Sequence, residues 1–124
     1  MSSLKRTSPS SSSKTNNFES EKYLYLTTRG RQSGLPRQIE IWFTHLRGRF
    51  YVIAEYATSN WVENLRAYPE VKVRVGGQEF AGRARILSKE QDRELVGQVQ
   101  SLSIEKYGWG DGLVVEILPT DENK

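Results

Sequence analysis

The chain has 124 residues, 36% of them hydrophobic and 27% charged, with a formal net charge of +3, one histidine and no cysteine. That length suits a single domain with one modest core. The absence of cysteine excludes disulfides, thiolate nucleophiles and Cys-based zinc sites, and no apolar run approaches the ~20 residues of a membrane-spanning helix.

In chain order, residues 1–19 are mostly Ser, Thr, Lys and Asn without a hydrophobic centre. They read as neither signal peptide nor anchor, but as a disordered tail unable to bury enough surface to offset its ordering entropy. With no cysteine, the cytoplasm is the default compartment. A single domain is expected over 20–124. Lys22–Thr28, aromatic and β-branched, predicts a first strand. Gln38–Leu46 alternates and predicts a second, with Ile39, Ile41 and Phe43 on one face and Gln38, Glu40, Trp42 and Thr44 on the other. After a turn at Arg47-Gly48, Arg49–Glu55 predicts a third. Ser59 then caps a short helix whose stripe is Trp61, Leu65 and Tyr68 and whose end is set by Pro69. Val71–Val75 and Gln78–Leu87 read as a hairpin about Gly76-Gly77. The small residues Gly82 and Ala84 in the second of these strands predict a close approach or a bend. Ser88 with Gln91 forms a capping-box pattern that opens a helix running to about Lys106, weakened by Gly97. A glycine-rich break, Tyr107–Gly112, precedes a last strand at Leu113–Leu118. Six antiparallel strands and two helices, with connections too short for parallel crossovers, predict a mainly β (α+β) chain closed or half-closed into a small barrel.

The segment Thr27-Thr28-Arg29-Gly30-Arg31-Gln32-Ser33-Gly34-Leu35-Pro36-Arg37 is longer than a hairpin needs. Its glycines permit close backbone approach and its arginines offer planar forks of donors for phosphate or carboxylate. It reads either as an anion-binding loop or as a solvated turn. His45, alone and without cysteine partners, gives little basis for a transition-metal site. Trp42 on a polar strand face reads as a surface aromatic, a dimer contact or a wall for a planar ligand, and Glu40 shares that ambiguity. Trp61 and Leu65 read most simply as helix core. The mild basic excess is compatible with an anionic partner or with solubility alone.

Taken together, TTRGRQSGLPR and NWVENLRAYPEVKVRVGG resemble the deazaflavin-dependent nitroreductase family, a branch of the split β-barrel flavin-binding superfamily that includes pyridoxamine-phosphate oxidases. The shared motifs are a Thr-Thr-x-Gly-Arg-Lys-Ser/Thr-Gly-x-x-Arg loop and a Trp-x-x-Asn-Leu-x-x-x-Pro junction, and the likeness covers roughly Tyr23 to Leu118. It implies a split β-barrel of about six strands, homodimeric in much of the superfamily. It also implies a bound coenzyme F420, with FMN as the alternative, and hydride transfer to a quinone, nitro compound or enone. Residue by residue, Arg31, Ser33, Pro36 and Arg37 match the loop that holds the tail phosphate, and Gln32 occupies its lysine position as a further candidate contact. Glu40 and Trp42 match positions lining the deazaflavin ring, and Ala54, Glu55, Tyr56, Trp61 and Asn64 match the segment closing over it. Tyr107 falls where relatives place substrate-facing tyrosines and is the candidate catalytic proton donor. The chain departs from the family in carrying Gln32 where the loop has lysine, and in a short Glu55–Asn60 segment.

Two other classes compete. One is a non-catalytic carrier or sensor of flavin, haem or lipid on the same fold. The other is a small nucleic-acid-binding barrel, which needs exposed aromatics interleaved with basic residues. Tyr51 beside Arg49 fits that need, whereas Tyr25 and Phe80 read as core. Trp42 and Tyr51, taken as exposed-face aromatics, also make a homodimer an expectation.

Overall fold

Period-two alternation of apolar and polar side chains favours strands, and the computed structural model, which describes residues 18–120, joins them in one seven-stranded sheet. The strands are β1 (Tyr23–Arg29), β2 (Pro36–Trp42), β3 (Thr44–Leu46), β4 (Arg49–Ala54), β5 (Glu70–Val75), β6 (Gln78–Ile86) and β7 (Leu113–Pro119). Two helices are inserted, α1 (Asn60–Ala67) between β4 and β5 and α2 (Arg93–Tyr107) between β6 and β7. Every pairing is antiparallel, in the order β2-β1-β5-β6-β7-β4-β3. The two outermost strands, β2 and β3, are consecutive in the chain and joined through Phe43, so the sheet curls into a half-barrel. The fold is the split β-barrel.

The barrel interior takes one face of each strand: Leu24 and Leu26 from β1, Phe50 and Val52 from β4, Val71, Val73 and Val75 from β5, Val115 and Ile117 from β7. Leu65 of α1 joins them, with Trp61, Ile39 and Ile41 packed at the margin. Each such side chain withdrawn fully from water contributes about 1.5–3 kcal/mol. A second core lies on the outer face of the sheet, where Val96 and Val99 of α2 cover Tyr51, Ile53 and Val114. Two-sided coverage is why β4 is buried from Phe50 to Ala54, in keeping with the unbroken apolar run of its sequence. Gly82 meets the close approach expected of it: a Cβ there would stand 3.0 Å from Ile117 and 3.2 Å from the Leu118 carbonyl oxygen.

Four expectations are corrected. The second strand is two, broken at Phe43, which turns into the core at 1% exposure. The helix anticipated from Ser88 begins at Arg93, because the Ser88 hydroxyl accepts the Glu90 and Gln91 amides at 3.2 Å each and closes a turn instead. Tyr51 is no surface aromatic: it is buried under α2. Tyr25 leaves the core to Leu24 and Leu26. It donates its hydroxyl to Glu40 at 2.9 Å on the outer face, and the Arg74 guanidinium lies 4.4 Å from its ring centroid. The disordered tail expected at the N-terminus lies outside the described residues up to position 17. Phe18, counted with that tail, packs edge-on against His45 and Phe50 at 5.2 and 5.1 Å.

Beneath α2, the Tyr51 hydroxyl donates to Glu116 at 2.9 Å, and Arg49 and Arg85 each reach the same carboxylate at 3.2 Å. Burial opposes charge on Glu116, but the Tyr51, Arg49 and Arg85 hydrogen bonds outweigh it and hold the carboxyl below its usual range. Burial, then the bond to Glu116, pushes the Tyr51 phenol up to about 12. This cluster ties β4, β6 and β7 together behind the site.

Candidate functional site

The loop between β1 and β2 is closed by its own backbone. Gly30 N–H donates to Leu35 O and Gly34 N–H to Gly30 O, both at 2.8 Å, and Ser33 Oγ accepts the Leu35 amide at 3.1 Å. Two glycines are required here. Gly34 has φ +75°, and a Cβ on Gly30 would fall 2.7 Å from Ser33 Oγ and 3.2 Å from Leu35 O. The loop's three arginines differ in what they touch. Arg29 stacks on Tyr68, 4.3 Å from the ring centroid. Arg31 is clasped to α1: its backbone N–H and Nη1 donate to Asn64 Oδ1 at 3.1 and 2.8 Å, while Nη1 and Nη2 donate to the Asn60 carbonyl and Oδ1 at 3.2 and 3.3 Å. Asn64, 4% exposed, completes the clasp by donating to Thr28 Oγ1 at 3.1 Å. The Arg37 guanidinium makes no hydrogen bond or ion pair among the described residues. With Gly30, Arg31, Gln32, Ser33, Asn60 and Asn64 it lines a hollow of about 580 Å³.

A second cavity of about 690 Å³ adjoins the first, sharing Ile39 and Trp61 as common wall. Five stretches of chain build it: Tyr23 from β1, Ile39–Trp42 from β2, Ile53–Tyr56 from the end of β4, Ser59 and Trp61 at the start of α1, and Trp109 from the glycine-rich break. All three tryptophans of the chain line it. Apolar and aromatic walls of this volume suit a planar ring system. The α1 start that presents Trp61 is fixed by Ser59, whose carbonyl accepts Val62 and Glu63 N–H at 3.0 Å and whose hydroxyl donates to Tyr56 O at 2.8 Å.

Tyr107 stands behind this wall. Its ring stacks on Trp42 with centroids 4.5 Å apart and planes 4° from parallel, and Trp109 meets Trp42 edge-on at 6.4 Å. The Tyr107 hydroxyl accepts Phe43 N–H at 3.0 Å and lies 2.8 Å from Phe43 O and 2.7 Å from Lys22 O, its two carbonyl acceptors. Burial raises its pKa. Lys106 adds a bond from Nζ to Phe43 O at 3.1 Å. The end of α2 therefore clamps the β2–β3 break and sets the plane of Trp42.

Of the residues singled out in the sequence, Arg31, Gln32, Ser33, Arg37 and Asn64 line the first cavity, and Glu40, Trp42, Ala54, Glu55 and Tyr56 the second. Trp61 lines both. Pro36 and Tyr107 line neither. Sequence reasoning misses Tyr23, Ile39, Ile41, Ile53, Ser59, Asn60 and Trp109. Trp109 carries a faint signal as an aromatic in a glycine-rich break, and Asn60 as the neighbour of the Trp61 motif. Among the described residues no group of three or more His, Asp or Glu side chains is placed to hold a metal ion, and no helix is long and apolar enough to cross a membrane.

Residues 4–111 match the F420H(2)-dependent quinone reductase family, so the chain belongs to that family and is an oxidoreductase. The fold is shared with the haem storage protein HutZ from Vibrio cholerae, at TM-score 0.72 and 19% identity over 89% of this chain and 90% of that one. It is shared with an FAD-binding protein from Mesorhizobium loti, at 0.70 and 19% over 90% and 91%. An F420-H2 dependent reductase superposes at 0.61 with 23% identity over 77% and 92%. No protein of curated function matches the sequence.

Proposed function

We propose that this member of the F420H2-dependent quinone reductase family binds coenzyme F420 across its two joined cavities and reduces an electron-poor acceptor, a quinone before a nitro compound or enone. The observation that carries the reading is the continuity at Ile39 and Trp61 between an aromatic cleft and a hollow with an uncommitted arginine. A planar ring joined to an anionic tail has that shape and polarity. Arg37 would hold the tail phosphate, helped by Ser33 and Gln32. Arg31 keeps the loop against α1. Trp42, Trp61, Tyr56 and Ala54 would enclose the ring and exclude water, and Glu40 and Glu55 would stand at its rim. Bound there, the reduced coenzyme would supply a hydride. Tyr107, with its hydroxyl committed to backbone carbonyls, serves as a positioning residue that fixes Trp42. A homodimer fits the same reading, since one structural neighbour at 24% identity is described as a domain-swapped dimer. So does work in the cytoplasm for a chain without cysteine.

The test is a fluorescence titration of the protein with coenzyme F420 and, separately, with FMN, followed by turnover of the reduced coenzyme with a naphthoquinone. Low-micromolar binding of F420 is expected, weakened about 10–100-fold in Arg37→Ala, as loss of a charged hydrogen bond of about 1.5–3 kcal/mol requires. Tighter binding of FMN, or no binding of either below high micromolar, would overturn the cofactor assignment. Binding of F420 without turnover of the naphthoquinone would overturn the acceptor assignment.

A further inference from the structure

The two cavities differ in charge as well as in shape. The hollow beside the loop is lined by two arginines, Arg31 and Arg37, and no acidic residue. The aromatic cleft is the reverse: its charged lining residues are Glu40 and Glu55, with no lysine or arginine. Glu55 is exposed and has no hydrogen bond or ion pair among the described residues. Glu40 accepts the Tyr25 hydroxyl at 2.9 Å and has no ion pair among the described residues. Two cations stand nearby. Lys22 Nζ lies 5.6 Å from the ring centroid of Tyr23 and Arg74 stacks on Tyr25; both line the hollow beside β1, which shares Tyr23 with this cleft, and neither lines the cleft itself.

Resting on the oxidoreductase reading above, we propose that the aromatic cleft selects its electron acceptor by charge, taking neutral or cationic quinones and rejecting those that carry a sulfonate or carboxylate. Two negative charges at the rim of a low-dielectric, aromatic-walled cleft repel an incoming anion more strongly than they would in open water. The arrangement also keeps the anionic tail of the coenzyme from entering the wrong end, so one charge pattern orients the coenzyme and filters the acceptor. In the reaction so filtered, the quinone gains a hydride from the reduced coenzyme and one proton from water, and leaves as the hydroquinone. The coenzyme leaves oxidised and returns one proton to water.

Because every tryptophan lines the cleft, intrinsic fluorescence reports its occupancy without any cofactor. The experiment titrates the full chain with three naphthoquinones of matched ring size: an uncharged one, one bearing a sulfonate and one bearing a quaternary ammonium. It then measures turnover of each with reduced F420. At low ionic strength the sulfonate is expected to bind at least about fivefold more weakly than the uncharged quinone and the ammonium at least as tightly. Turnover should follow the same ranking, and the differences should shrink in about 0.5 M salt. Glu55→Gln and Glu40→Gln should each narrow the ratio between uncharged and sulfonated quinones. Equal or tighter binding of the sulfonate, or a ratio indifferent to both substitutions and to salt, overturns the proposal. If the fluorescence ranking holds while no quinone is reduced, the charge filter stands and the quinone reductase reading falls.

Discussion

The arginine hollow and the aromatic cleft are neighbours made in opposite ways. The hollow comes almost whole from one loop, residues 30–37, backed by Asn60 and Asn64 of a single helix. The cleft is assembled from five stretches that range from Tyr23 to Trp109, and its rear support comes from Tyr107. A contiguous site is held by local backbone hydrogen bonds. A dispersed one is held by the whole barrel and by packing across long sequence separations. Disturbing the first should therefore be felt locally in affinity, except at the point where it is fastened to the barrel, while disturbing the second should be felt in both stability and chemistry.

That fastening point gives the largest expected effect. Asn64 is buried and bonds the Arg31 backbone, the Arg31 guanidinium and Thr28 at once. Asn64→Ala leaves these groups without partners and should cost about 2–3 kcal/mol of stability, read by denaturant unfolding, together with a clear loss of F420 affinity. Arg31→Lys keeps the charge but cannot reproduce the fork to Asn60 and Asn64, so it should lose affinity too. If Arg31→Lys binds F420 as the parent does, the arginine acts through its charge and not as a clasp.

The same contrast decides what is legible in the sequence. The loop motif, its glycines and the Trp61–Asn64 segment each lie within a short stretch of chain, and together they point to one anion site. Sequence alone cannot divide labour among the arginines. Arg29, Arg31 and Arg37 are identical in type, and only tertiary contact shows one on Tyr68, one on Asn64 and one uncommitted. The barrel is readable from strand periodicity and short connections. The break at Phe43 is not, because Ile39, Ile41 and Phe43 continue an unbroken alternation. Tyr51 is misplaced for a different reason: a meander strand is expected to keep one solvated face, whereas α2, arriving two strands later in the chain, covers that face, as the unbroken apolar run over residues 50–54 signals. Trp109 and Tyr23 join the cleft through contacts that no local pattern encodes.

At the dispersed end, Tyr107→Phe isolates the clamp from the stack. The ring still faces Trp42, but Phe43 N–H and two carbonyls lose the hydroxyl. Stability should fall by about 1 kcal/mol, and the tryptophan emission should shift as Trp42 gains freedom. Turnover should drop only a few-fold. A much larger loss of turnover, on the order of the hundredfold or more that accompanies lost general acid–base catalysis, with unchanged emission would show that the hydroxyl supplies a proton instead.

The smallest effect is expected from Gln32→Lys, and it tests the hollow most directly. Gln32 is exposed on the lining between Arg31 and Ser33, where the resembling family carries a lysine. Little has to move to admit an ammonium, so stability should be unchanged. An exposed charge beside a phosphate contributes only about 0.2–1 kcal/mol, so F420 should bind roughly two- to fivefold more tightly at low salt. The gain should fade as salt screens it. A deazaflavin lacking the tail phosphate should gain nothing from the substitution. Equal tightening of both ligands would mean that the lysine acts on the ring end through the shared wall at Ile39 and Trp61, and that the two cavities are not separate in charge. No tightening of either would place the phosphate away from this loop, leaving Arg37 without the role its free guanidinium otherwise fits.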